Sequence, residues 1–91
     1  MVSFGHHLGQ NVAAARKRAG LSQEALSFRS SVHRTAIGGI ERGETIHRTD
    51  TLVKLAGSLG VGLDDLVRGL SWEPSEWQPG RLKGPGDGGT L

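Results

Sequence analysis

Three consecutive residues, His33-Arg34-Thr35, set an imidazole, a guanidinium and a hydroxyl side by side, just ahead of an apolar pair at Ile37 and Ile40. A guanidinium offers a rigid fork of N–H donors that fits the O6/N7 edge of guanine or a phosphate. A threonine brings a hydroxyl and a methyl, suited to a base edge or a thymine methyl. Further donors flank this group at Gln23, Arg42, His47 and Arg48. This is the chemistry of recognition rather than of bond making. The charge distribution agrees. Between Arg16 and Arg48 stand Arg16, Lys17, Arg18, Arg29, Arg34, Arg42 and Arg48 against Glu24, Glu41 and Glu44, a balance of +4. From Thr49 onward Lys54, Arg68, Arg81 and Lys83 face six acids, a balance of −2. A basic half on a weakly acidic remainder suits a polyanion met on one face.

Other chemistries find little support. Ser22, Ser30 and Ser31 lack a nucleophile elbow and a supporting acid pattern, so hydrolysis is not expected. His6, His7 and His47 lack the spacing of zinc motifs, and the chain has no cysteine, so neither metal nor cofactor is expected. With 91 residues there is room for one domain. No apolar run reaches the 18 residues of a membrane span. The first residues, Met1-Val2-Ser3-Phe4-Gly5-His6-His7, do not read as a secretory signal. A cytoplasmic location, on or near the nucleoid, is the expectation.

Apolar residues recur at helical spacing from Leu8 to Leu70, without strand alternation. A first helix is predicted over Phe4 to Ala19, with Leu8, Val12, Ala15 and Ala19 along one face. Arg16, Lys17 and Arg18 in its last turn complement the helix dipole, and Gly20 stops it. Ser22 caps a short second helix ending near Arg29. After a turn at Ser30-Ser31, a third helix runs from about His33 to Glu41, with Val32, Ile37 and Ile40 inward and Gly43 at its end. The stretch from Glu44 to Arg48 reads as a loop. Thr49 or Asp50 caps a fourth helix carrying Leu52, Val53, Leu55, Ala56 and Leu59, closed by Gly60. A fifth is expected from Leu63 to Gly69. Beyond Ser71 the character changes: Trp72 and Trp77 stand among prolines, and from Gly80 the chain is too Gly-rich to bury much surface, so a disordered tail is expected. Residues 1–71 thus form the expected domain and 72–91 a partly disordered Trp/Pro/Gly-rich tail, the tryptophans docking on the helices or on a partner subunit.

Two short helices across a tight turn, the second carrying basic and hydroxyl residues, make a unit whose second helix can enter the major groove. The opening Leu21-Ser22-Gln23-Glu24 and the close Ile40-Glu41-Arg42-Gly43, with Leu8-Gly9 and Arg16 upstream and Thr51-Leu52, Leu59-Gly60-Val61 and Leu66 downstream, closely resemble the Cro/cI-type (Xre) helix-turn-helix family. The segment His33 to Gly43 also resembles restriction–modification controller proteins and small bacterial or phage regulators. The resemblance implies an all-α, five-helix lambda-repressor-like DNA-binding domain with a flexible C-terminal tail. It implies a homodimer on double-stranded DNA, repressing or controlling transcription.

The same resemblance suggests roles. Arg34 is the prime candidate for a base contact, Thr35 for a thymine methyl or base edge, and His33 for a phosphate. Gln23, opening the second helix, matches a phosphate-binding glutamine, and Arg42, His47 and Arg48 are placed to hold the backbone. Gly38 and Gly39 stand where relatives carry longer polar side chains, which shortens the reading surface or lets the backbone approach DNA. Arg16 and Glu41 match a partly buried ion pair that ties the first helix to the third. The family often has Gly at the turn position Ser31, and Asn-Pro-Ser where this chain has Ile46-His47-Arg48. The fourth and fifth helices with the tail are the expected dimer surface. An antitoxin or protein-interaction adaptor, holding a partner through Trp72 and Trp77, is the alternative on the same fold.

Overall fold

Ser3 opens the first helix by accepting the His6 N–H at its hydroxyl (3.1 Å). The computed structural model describes residues 3–45 and 47–85. In chain order the elements are α1 (Phe4–Arg18), α2 (Gln23–Ser30), α3 (Arg34–Glu41), α4 (Thr49–Leu59), α5 (Leu63–Leu66), β1 (Ser71–Glu73) and β2 (Arg81–Lys83). Helices α1, α2 and α4 are followed by left-handed turns or a C-cap at Gly20, Ser31 and Gly60. Helix α3 gives way to Gly43, at φ +75°.

The periodic apolar positions meet in one core. Leu8, Val12 and Ala15 of α1, Leu26 of α2, Ile37 and Ile40 of α3, Leu55 and Leu59 of α4 and Leu66 of α5 are all buried, with Val32 closing the turn side. Each fully buried side chain of this size stabilises by about 1.5–3 kcal/mol relative to exposure. Helices α1 and α3 cross very closely. A Cβ on Gly9 would lie 2.2 Å from the Ile40 carbonyl oxygen and 2.6 Å from that of Glu41, so only glycine fits. Farther along the same contact Gly43 abuts the His6 backbone while holding its positive φ.

Helix α4 begins at Arg48, which occupies the N-cap without a side-chain bond to the helix. Asp50, one of the expected caps, instead accepts the N–H of Thr51 at Oδ1 (2.9 Å). Helix α5 is shorter than the periodicity implies. Its continuation is taken over by α1: Asn11 Nδ2 donates to the carbonyls of Leu66 (2.8 Å) and Arg68 (2.9 Å). The His7 Nε2 lies 3.1 Å from the same Arg68 carbonyl. Those oxygens are thereby satisfied without helical partners, and Gly69, at φ +83°, turns the chain away.

The expectation of an all-α chain is corrected here, and Arg81–Lys83, expected in the tail, form a strand. Strands β1 and β2 pair antiparallel, with Ser71 opposite Lys83, Trp72 opposite Leu82 and Glu73 opposite Arg81. Cross-strand charges support the register: Glu73 accepts from Arg81 Nε (3.1 Å) and from Lys83 Nζ (3.3 Å). Both cations hold the Glu73 carboxyl below its usual range. The Trp72 ring covers Gly80, where a Cβ would come within 2.4 Å of it. Composition alone hid this hairpin, because its stability comes from cross-strand pairs and a ring-on-glycine contact. Neither tryptophan is buried: Trp72 is 57% exposed and Trp77 92%. The last part of the expected tail, residues 86–91, lies outside the described residues. No helix among the described residues is long and apolar enough to cross a membrane.

Candidate nucleic-acid interface

The turn between α2 and α3 is fixed before any ligand arrives. Ser22 caps α2 by accepting the Ala25 N–H (3.0 Å). At the far end Ser31 takes the left-handed conformation, φ 59° and ψ 25°, while its N–H still bonds to the Ser27 carbonyl. Among the described residues it is the only non-glycine with positive φ. The buried Ser30 hydroxyl accepts the Val32 N–H (3.1 Å), which closes the turn. His33 then caps α3, its Nδ1 accepting the Thr35 N–H at 3.0 Å. Sequence alone did not reveal this cap, because His is not among the usual capping residues.

This cap settles what α3 displays. His33, Arg34 and Thr35 are exposed, whereas Ile37, Gly38, Gly39 and Ile40 are buried. The Arg34 guanidinium has no ion-pair partner among the described residues. One free cation, one hydroxyl and the partial positive charge of a helix N-terminus therefore lie together on an open surface.

Behind this turn lies a buried polar cluster. Arg16 Nε donates to Glu41 Oε2 (2.7 Å) and Nη2 to Oε1 (3.0 Å). Its Nη1 donates to the Leu21 carbonyl (2.9 Å). The bond to Glu41, outweighing the opposing effect of burial, raises the Arg16 pKa. Gln23 joins the cluster by donating from Nε2 to Glu41 Oε1 (3.1 Å). One carboxylate thus links the starts of α1's last turn, α2 and α3's end, a connection of Gln23 that its expected phosphate role did not suggest.

Arg42 folds back along α3, with Nη1 3.0 Å from where a Gly38 Cβ would stand; Gln23 Oε1 is 3.7 Å from the same point. Structure thus brings Gln23, Gly38 and Arg42 together. Arg42 is also gripped by Glu44 through two bonds, Nε to Oε2 (2.8 Å) and Nη2 to Oε1 (3.1 Å). This pairing raises the Arg42 pKa and lowers that of Glu44. Thr45, which sequence reasoning passed over, covers Gly39. His47 is half-buried, and the exposed Arg48 pairs with Asp50 at 3.3 Å, both at the start of α4.

This arrangement of helix, tight turn and displayed helix matches known proteins. The helix-turn-helix family HTH_3 matches residues 12–66. Control protein C.BamHI of Bacillus amyloliquefaciens is 40% identical over 60 residues, covering 65% of this chain and 74% of its own length. Among solved structures, the restriction-modification controller protein C.AhdI from Aeromonas hydrophila superposes with a TM-score of 0.65 at 36% identity, over 67% of this chain and 92% of that one. The P22 c2 repressor, solved in complex with a synthetic operator, superposes with a TM-score of 0.63 at 32% identity, over 68% of this chain and 94% of its own. With more than half its length matched, the chain belongs to the helix-turn-helix family.

Proposed function

We propose that this protein is a transcriptional regulator that binds double-stranded DNA as a two-fold dimer, laying α3 in the major groove. The observation that carries this is the display on α3: one open turn bearing His33, Arg34 and Thr35, followed by the buried run Ile37 to Ile40. Arg34 forks onto a guanine edge, and Thr35 meets a base edge or a thymine methyl. His33 and Gln23 contact phosphate near helix N-termini. Arg42, His47 and Arg48 hold the backbone and so set register without reading sequence. Gly38 and Gly39 keep the second turn of α3 low. The likeness to an operator-bound repressor and to controller proteins supports regulation rather than catalysis.

One such turn contacts too few base pairs to select a site alone, and a two-fold pair reads half-sites roughly one helical turn apart. Exposed apolar side chains on α4, after α5 and in the hairpin, Val53, Val67, Trp72, Trp77 and Leu82, offer apolar surface for such a pair. Acting on DNA places the protein in the compartment that holds it.

The test is a selection from random duplexes with the wild-type protein beside the Arg34→Ala, Thr35→Ala variant. A palindromic motif that the variant loses or alters supports the proposal. No motif at moderate salt, where nonspecific phosphate binding is suppressed, overturns it.

A further inference from the structure

Two glycines interrupt the face of α3 that carries Arg34 and Thr35. Residues four apart lie over one another on a helix, so Gly38 follows Arg34 and Gly39 follows Thr35. Neither supplies a side chain, yet both are buried, because other residues roof them. Over Gly38 lies Arg42, already held by two bonds to Glu44. Over Gly39 lies Thr45, its Oγ1 3.1 Å and its Cγ2 3.9 Å from the position a Cβ would take. Thr45 itself is exposed. The loop that delivers it is pinned to the helix, the Glu44 N–H donating to the Gly39 carbonyl at 2.9 Å.

We propose that Thr45 replaces the missing side chain of residue 39 as a reading residue, its hydroxyl meeting a base edge in the major groove. This rests on α3 being the reading helix. A hydroxyl donates and accepts, so it can pair with either kind of base-edge group. Four residues of helix advance about 6 Å, close to two base-pair steps of about 3.4 Å. The base pair met by Thr45 therefore lies about two steps from the one met by Thr35. The hydroxyl comes from a loop, so a search confined to the third helix misses it.

The experiment is the same duplex selection, followed by affinity measurements on single-base variants of the selected site. It uses Thr45→Val, which keeps the shape and removes the hydroxyl, Thr45→Ser, which keeps the hydroxyl, and Gly39→Ala, whose Cβ presses Thr45 outward by a few tenths of an ångström. Thr45→Val is expected to lose about 2- to 10-fold discrimination at one base pair per half-site, the worth of one neutral hydrogen bond, with melting and random-duplex affinity unchanged. Thr45→Ser retains the preference. Gly39→Ala weakens it at the same base pair, by less than Thr45→Val does. A wild-type motif returned intact by Thr45→Val overturns this proposal and leaves α3 as the reading helix. A loss spread evenly over all sequences makes Thr45 a backbone contact and also overturns it. No motif from the wild type overturns both.

Discussion

Arg16 of α1 grips Glu41 at the end of α3 with two N–H bonds, and the two side chains are 13% and 8% exposed. Removing either partner strands a charge in the interior. Glu41→Ala is therefore expected to destabilise by about 3–5 kcal/mol, lowering Tm by more than about 10 °C in a domain of this size. A thermal melt checks it. An unchanged Tm would mean that the pair is a passenger of the fold.

Ser31 holds a left-handed backbone that glycine adopts freely. Ser31→Gly removes the steric cost, about 1–2 kcal/mol, and gives back about 0.5–1 kcal/mol through the greater freedom of the unfolded chain. A net gain of about 0.5–1 kcal/mol is expected, read as a rise in urea midpoint with unchanged slope.

Glu44 engages the Arg42 guanidinium, which lies over Gly38. Because Arg42 lowers the Glu44 pKa, the carboxylate stays ionised below the usual range, and its contribution fades only as pH falls through that lowered value. Glu44→Gln is expected to tighten DNA binding for all sequences alike, with a salt dependence steeper by about one unit of slope. A looser complex would show that Glu44 orients Arg42 rather than restraining it.

Arg48 is exposed and paired only loosely with Asp50. Arg48→Ala is expected to weaken binding about equally on specific and random duplexes and to reduce the salt slope by about 1. Selective loss on one sequence would place Arg48 at a base.

Trp77 stands 92% exposed at the hairpin end. Trp77→Ala is expected to change stability by less than about 0.5 kcal/mol, as at other open surface sites, while shifting self-association toward monomer in sedimentation. An unaltered equilibrium would remove the hairpin from the dimer surface.

The helices were legible because their signals are local. Leu8, Val12 and Ala15 repeat at helical spacing, Ser22 is a strong cap, and Gly60 marks an end. The hairpin was not, since Trp72 opposite Leu82 and Glu73 between Arg81 and Lys83 are contacts across eight to ten residues that no window of alternation displays. The early end of α5 was hidden for the same reason: Asn11, 55 residues away, claims its carbonyl. At the candidate site Arg34 and Thr35 stood out by type and position. The cap formed by His33, the bond from Gln23 to Glu41 and the cover of Thr45 over Gly39 depend on how the loop and helices fold back, which spacing does not encode.

Gly9 has a consequence for anyone who would retarget this protein. With the Ile40 and Glu41 carbonyls pressed against its bare Cα, α3 has a fixed seat, and any side chain at position 9 would lift it. If α3 and Thr45 read bases as proposed, a library aimed at new operators should randomise positions 34, 35 and 45 and leave position 9 untouched. Variation in the code is then uncoupled from the height at which it is held.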